Sequence, residues 1–344
     1  MTHTTLSAET KASLALTDNH GRTVNYLRVS ITDRCNLRCM YCWSADGMQF
    51  IPHDNIITYE EIARLVDLSV EMGVSKVRLT GGEPFARRNC LDLIEMLLKK
   101  HPDLDLRLTT NATLMNGKAK ALADLGVRHI NISLDTFERK KFQSITGRDM
   151  LRSVTRSIDE CLASGLKVKI NTVALKGVNN DELPVFVNFA KNNPVDVRFI
   201  EFMPMGSCST WNESNFWSAD DIFEEASKLA VLTKLEKGER RSGPAKLFGI
   251  EGGKGRLGFI TPMSNHFCSS CNRLRITANG MLRTCLFSDS EIDLRTMLRN
   301  TSITDADIAN VMREANVGKP LGVELLKAKK QNEVALKRMN AIGG

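Results

Sequence analysis

The sequence predicts an α/β fold: an incomplete (β/α)6 TIM-like barrel, open on one side, followed by a carboxy-terminal α+β subdomain. Three observations support it. Between residues 24 and 203, short β-branched runs alternate with stretches of helical apolar spacing, as they do when βα units repeat around a parallel sheet. The strand-like runs number six, short of the eight that close a full barrel. After Pro204 the alternation gives way to closely spaced short strands. A doubly wound sheet satisfies the first two observations as well.

In chain order, the six strands are expected at residues 24–30, 76–80, 105–110, 129–134, 167–175 and 196–202. The first helix between them carries its own start signal. Thr58-Tyr59-Glu60-Glu61 has the form of a capping box, apolar Ile62, Leu65, Val66 and Val70 follow, and Gly73 ends it. In βα-repeat folds ligands gather at the carboxy-terminal strand ends. Here those ends read Arg28-Val29-Ser30, Arg78-Leu79-Thr80-Gly81-Gly82-Glu83-Pro84, Thr109-Thr110-Asn111, Ser133-Leu134-Asp135, Lys169-Ile170-Asn171 and Glu201-Phe202-Met203, rich in polar groups.

Beyond Pro204, a helix led by Ser218 precedes short strands at 231–235, 245–250 and 256–260, a hairpin turning at Asn279-Gly280, and helical stretches at 292–298 and 308–314. The expected organisation is therefore an amino-terminal extension at 1–20, the barrel at 21–217 and the subdomain at 218–344.

Over 344 residues, 42% are apolar and 25% charged, ordinary values for a globular protein. The first twenty residues are polar and rich in Thr and Ser, unlike a signal peptide, and no window is apolar enough to span a membrane. A cytosolic protein is expected. Net charge is +7, yet no long Lys/Arg run or interleaved aromatic set accompanies it, so nucleic acid is not the expected partner.

Nine cysteines in a reducing compartment point to metal ligation or catalysis rather than disulfides. Cys90, Cys161 and Cys208 stand alone and read as small core residues. Cys35, Cys39 and Cys42 form CxxxCxxC just after the first strand, so three thiolates can face one metal centre. Zinc sites close with four ligands, for which His53 is a candidate, whereas a cubane cluster on three cysteines leaves one iron open.

The stretch Asp33-Arg34-Cys35-Asn36-Leu37-Arg38-Cys39-Met40-Tyr41-Cys42 resembles the signature of radical S-adenosylmethionine enzymes. Thr80-Gly81-Gly82-Glu83-Pro84 is similar to that family's GGEP turn, where glycines let the backbone approach the methionine amino group. The resemblance implies a 4Fe-4S cluster on Cys35, Cys39 and Cys42 whose open iron chelates S-adenosylmethionine.

A second set, Cys268, Cys271 and Cys285, lies across the hairpin. On spacing alone it could be a zinc site completed by His266. Its surroundings, Phe267-Cys268-Ser269-Ser270-Cys271-Asn272-Arg273-Leu274-Arg275 and Leu282-Arg283-Thr284-Cys285-Leu286-Phe287, resemble the carboxy-terminal motif of the GTP 3′,8-cyclase family, which acts in molybdenum cofactor biosynthesis. The likeness extends from Gly21-Arg22-Thr23-Val24 through Ile145-Thr146-Gly147-Arg148-Asp149 to the terminal Gly343-Gly344, a tail that in this family reaches toward the active site.

Position by position, the resemblance implies S-adenosylmethionine contacts at Tyr41, Gly82, Ser133 and Met203. It implies GTP contacts at Arg28, Arg78, Thr109 or the adjoining Thr110, Lys169, Arg273, Leu274 and Arg275. The second triad would hold a second 4Fe-4S cluster that meets the guanine. A 5′-deoxyadenosyl radical would take hydrogen from ribose C3′, and C3′ would close on C8. An electron donor and handover to cyclic pyranopterin monophosphate synthase come with the family; the sequence leaves the oligomeric state open, a homodimer included.

Two departures from the family pattern stand out: Trp43-Ser44 where Met-Pro is common, and Gly322-Val323 where Gly-His is usual. Two other readings remain open on sequence. One is a radical enzyme acting on a peptide or RNA; the other is a zinc-stabilised protein that binds nucleic acid.

Overall fold

A computed structural model describes residues 15–42, 50–205, 211–236, 243–328 and 339–342. Two short strands, β1 (Leu16–Thr17) and β2 (Thr23–Val24), pair antiparallel with each other. Then come β3 (Tyr26–Ser30), α1 (Tyr59–Glu71), β4 (Lys76–Thr80), α2 (Cys90–Lys100), β5 (Asp105–Thr110), α3 (Ala119–Asp124) and β6 (His129–Ser133). The series continues with α4 (Arg139–Thr146), α5 (Leu151–Ala163), β7 (Lys167–Ala174), α6 (Leu183–Asn192) and β8 (Asp196–Glu201). Strands β3 to β8 lie parallel in chain order.

The run expected at 24–30 divides at Asn25. Val24 pairs with Leu16, while the Asn25 carbonyl accepts from the N–H groups of Ser75 and Lys76, and β3 starts at Tyr26. Helix α1 has the expected capping box: the Thr58 hydroxyl accepts from Glu61 N at 3.1 Å and the Glu61 carboxylate accepts from Thr58 N at 2.7 Å. A cap of this kind stabilises a helix by about 1 kcal/mol. Its apolar stripe, Ile62, Leu65 and Val66, is fully buried, each side chain contributing about 1.5–3 kcal/mol.

After β8 the chain forms α7 (Ala219–Leu229), β9 (Leu232–Lys234), β10 (Lys246–Ile250), β11 (Arg256–Ile260), β12 (Arg273–Ile276) and β13 (Met281–Arg283). It ends in β14 (Ile292–Asp293), α8 (Leu294–Arg299), α9 (Asp305–Val317), α10 (Gly322–Ala328) and α11 (Met339–Ile342). The sheet order is β14-β13-β12-β3-β4-β5-β6-β7-β8-β11-β10-β9. Strand β11 adds parallel to β8, and β12 adds parallel to β3. The chain after 217 thus supplies both flanks of the same sheet rather than a sheet of its own. Eight neighbouring strands are parallel, but β9 and β14 remain edges, so the barrel is open.

Side chains alternate across a strand. In β5, Leu106 and Leu108 are buried toward the helices, which leaves Asp105, Arg107 and Thr109 on the inner face. The same parity places Leu27 and Val29 in the core and Tyr26 and Arg28 inside. Cys90 and Cys161 are buried core residues, as expected. Among the described residues, no helix is long and apolar enough to cross a membrane.

The hairpin between β12 and β13 turns at Asn279-Gly280, with Gly280 at φ +76°. A Cβ there would lie 2.8 Å from Ile57 Cγ2 and 2.9 Å from Arg295 Cβ. Gly280→Ala is expected to lower the unfolding free energy by about 1–3 kcal/mol, through backbone strain and overpacking. A urea melt with unchanged slope and a lower midpoint would show it; an unchanged midpoint would mean that the turn adapts.

Candidate active site

In closed βα barrels the interior is filled by Val, Ile and Leu. Here many inward strand positions are polar or charged, with Val173, Ile200 and Ile260 beside them, and they enclose a cavity of about 360 Å³. Each strand contributes residues two apart, so one face of the strand lines the space: Tyr26 and Arg28, Lys76 and Arg78, Arg107 and Thr109, Asn131 and Ser133, Lys169 and Asn171, Arg273 and Arg275. Arg198 from β8 joins them. Such a belt can hold a polyanion but not a packed apolar core.

At one end lies the first cysteine triad. The loop after β3 is laid against the glycine turn after β4: Gly82 N donates to Thr32 O at 2.6 Å and Glu83 N to Arg34 O at 2.8 Å. The Glu83 carboxylate accepts from Phe85 N, the Thr110 hydroxyl and Asn111 N, which ties the ends of β4 and β5 together. From the other side, Arg38 N and Met40 N donate to Thr146 O and Ile145 O, which explains why the Ile145-Thr146-Gly147 stretch accompanies the cysteine loop.

Cys35 Sγ accepts from Leu37 N at 3.4 Å and from Asn111 Nδ2 at 3.6 Å. Burial pushes the Cys42 thiol up to about 12, helped by the charges of Cys35 and Asp135, and Cys39 is raised as well. The Tyr41 hydroxyl donates to Asp135, whose other oxygen accepts from Val173 N at 2.8 Å. Burial lifts the Asp135 carboxyl to about 6 against those hydrogen bonds.

The second triad closes the opposite end. Cys268 opens a short 3-10 turn, Cys271 precedes β12 and Cys285 follows β13, so the hairpin carries all three to one place. A Cβ on Gly322 would come within 3.0 Å of Cys285 Sγ and 3.5 Å of Cys268 Sγ; only glycine leaves that space free. Gly322 N and Val323 N hydrogen-bond the Cys268 thiol, so the departure at Val323 retains its backbone donor. Burial raises Cys271, but the charges of Arg273 and Lys319 outweigh it and bring the thiol to about 7.

These residues fit two iron-sulphur clusters. All six cysteines line the cavity, and no histidine among the described residues does, His53 and His266 included. As placed, no three His, Cys, Asp or Glu among the described residues could hold a single metal ion.

The cavity is lined by every expected contact residue except Leu274: Tyr41, Gly82, Ser133 and Met203 on the strand-end side, and Arg28, Arg78, Thr109, Thr110, Lys169, Arg273 and Arg275 in the belt. Leu274 is fully buried in the core, as its parity on β12 requires. Thr109 Oγ1 accepts from Arg78, while the Thr110 hydroxyl is taken by Glu83.

Sequence reasoning missed Arg22, Tyr26, Lys76, Arg107, Arg198 and Lys319, all in the lining. A signal existed for the strand residues. Lys76, Arg107 and Tyr26 each lie two positions before an expected contact and so share its face. Trp43-Ser44, Cys208, residues 1–14 and Gly343-Gly344 lie outside the described residues. Just before that tail, Met339 lines the cavity and Ile342 packs on Met205 and Phe287 beside the second triad.

The family described as "Radical SAM superfamily" matches residues 29–190, and "Molybdenum Cofactor Synthesis C" matches 195–325. The chain is 40% identical over 330 residues to the GTP 3′,8-cyclase of Thermodesulfovibrio yellowstonii, covering 95% of this chain and 99% of that one. It is 44% identical over 304 residues to the GTP 3′,8-cyclase of Syntrophomonas wolfei, covering 88% and 93%. Among solved structures, Streptococcus suis SuiB bound to precursor peptide SuiA superposes with a TM-score of 0.62 at 15% identity, covering 96% of this chain and 77% of that one. That likeness concerns the fold alone.

Proposed function

The chain belongs to the GTP 3′,8-cyclase family, and from that premise we propose that its cavity holds GTP between two 4Fe-4S clusters and converts it to (8S)-3′,8-cyclo-7,8-dihydroguanosine 5′-triphosphate. It is a radical S-adenosylmethionine enzyme, a lyase of molybdenum cofactor biosynthesis. One observation carries the assignment of the site: two cysteine triads face a single cavity across a belt of Arg and Lys.

When bound, S-adenosylmethionine and the first cluster supply the 5′-deoxyadenosyl radical that removes the C3′ hydrogen. The chain's own work is to bind and orient. Tyr41, Gly82, Ser133 and Met203 receive S-adenosylmethionine beside Cys35, Cys39 and Cys42. Arg28, Arg78, Arg273 and Arg275 offer fork-shaped donors to phosphate oxygens, and Lys169, Lys76 and Arg198 add charge. Apolar Phe202 and Met203, just after β8 on the side of the first triad, exclude water where a radical would be quenched. Fixing C3′ near the radical carbon is the main catalytic contribution.

We assign residues 21–217 to the unit that carries the first cluster and 218–344 to the unit that carries the second. Two thiolate triads call for a reducing compartment, which supports a cytosolic location. An external electron donor would feed the first cluster, and the product would pass to cyclic pyranopterin monophosphate synthase.

The binding reading makes a pH prediction. Burial, and then the charge of Arg198, lowers the Lys169 ammonium to about 7, with Asp196 opposing at 3.6 Å. Phosphate favours the protonated form, so binding takes up a proton once Lys169 is neutral in the free enzyme. GTP affinity is expected to fall by up to about tenfold per unit above pH 7. Equilibrium binding from about pH 6 to 9 measures it, and Lys169→Arg, always charged, should flatten the slope. An equal slope in both proteins would assign the proton to another group.

The reaction itself is tested anaerobically by reconstituting the clusters, adding dithionite, S-adenosylmethionine and GTP, and following products by mass spectrometry. Deoxyadenosine together with a GTP isomer supports the reading. Deoxyadenosine with intact GTP would keep the radical class and reject the substrate; zinc without iron or sulphide would reject both.

A further inference from the structure

We infer that Lys319, fastened by Arg22, is a positioning residue for the second cysteine triad and sets the reduction potential of the cluster it holds. The inference rests on reading Cys268, Cys271 and Cys285 as cluster ligands.

Lys319 is 2% exposed, and a buried ammonium is costly unless all its donors are met. It has three N–H donors. One reaches Arg273 O at 2.9 Å, one reaches Thr284 O, and its side chain also hydrogen-bonds the Cys271 thiol. Arg273 lies two residues after Cys271, and Thr284 immediately precedes Cys285. The ammonium therefore bridges the two strands of the hairpin where they deliver their ligands.

The third ligand is tied from the other end of the chain. Arg22, in the turn before β2, donates through Nη1 to Cys268 O at 2.9 Å and through Nη2 to Lys319 O at 2.5 Å. Its Nε is fixed on Asp18 at 2.5 Å. Asp18 thus balances Arg22, whereas the groups that most favour the Lys319 ammonium are the cysteines Cys271 and Cys285 themselves.

A fixed positive charge in a low-dielectric site favours the more negative, reduced state of a cluster and so raises its potential. Opposite conditions hold at the first triad, where the buried carboxylates Glu83 and Asp135 stand near Cys35 and Cys39. The two sites are electrostatically distinct, and the first serves as an internal control.

The test is a redox titration of the full-length, reconstituted enzyme followed by electron paramagnetic resonance, with iron and sulphide analysis, for the wild type and Lys319→Gln, Lys319→Arg and Lys319→Met. Lys319→Gln keeps two donors but no charge. It should load iron as the wild type does, and its second cluster should shift to a more negative potential while the first stays in place. Lys319→Arg should restore the potential, and Lys319→Met should also lose iron from the second cluster.

Loss of the second cluster from Lys319→Gln would overturn the inference, which requires that variant to load its cluster and shift its potential. A loaded Lys319→Gln with an unshifted second potential, an equal shift of both clusters, or loss of the cluster in all three variants would overturn it. A wild type with only one cluster would remove the premise itself, and the inference with it.

Discussion

Cys271→Ala is expected to abolish formation of the cyclised nucleotide while S-adenosylmethionine cleavage persists. The two triads sit at opposite ends of one cavity and hang on different strands: Cys271 just before β12, Cys35, Cys39 and Cys42 after β3. Loss of one sulphur leaves two at the second site, too few for a cluster, and the variant should retain about half of its iron. On the proposed function the guanine then loses its contact at the second cluster, and a misplacement of about 1 Å costs on the order of 100-fold in rate, so the nucleotide product should fall at least that far. Deoxyadenosine should still form, uncoupled from GTP. Cys39→Ala, by contrast, should lose both products. If Cys271→Ala lost deoxyadenosine formation to the same extent as the nucleotide, the separation of roles between the triads would be wrong.

Gly82→Ala should be as damaging, for a steric reason. A Cβ at that position would lie 2.2 Å from Arg34 O, 2.5 Å from Arg34 C and 2.8 Å from Asp33 O. All are backbone atoms, and the loop is held there by Gly82 N on Thr32 O and Glu83 N on Arg34 O, so it cannot yield without breaking those bonds. Overpacking of this kind costs about 1–3 kcal/mol or more. Displacement would carry Cys35, the next residue after Arg34, away from its partners. The expected result is a folded protein with a lower urea midpoint, poor retention of the first cluster, and deoxyadenosine formation reduced on the order of 100-fold. Wild-type iron content and rate would show that the turn is not the support of the cysteine loop.

Both predictions draw on features that were legible in the sequence to different degrees. CxxxCxxC, the glycine turn and the second triad are local: their spacing alone confines the thiols to one loop or one hairpin, because a few residues of chain cannot span more. The βα order was equally legible, since alternating buried strands and amphipathic helices write their periods into adjacent residues. What failed was distant. Leu274 sat inside a quoted motif, yet strand parity turns its side chain into the core, away from Arg273 and Arg275. Lys76 and Arg107 were visible as cations in buried strands, but their meaning depended on knowing which face was inside.

By itself, the sequence determined the repeat, the two sulphur triads and the residues flanking them, since these are set by short-range spacing and side-chain chemistry. Only the tertiary structure decided that β11 and β12 join opposite flanks of one sheet, which brings the triads to face each other across a cationic belt. It alone also decided that Arg22 and Lys319, 297 residues apart, meet at the second triad. The physical reason is that pairing between strands and hydrogen bonds between residues distant in the chain leave no periodic trace in either segment. Each forms because its partner is delivered by the packing of everything between them.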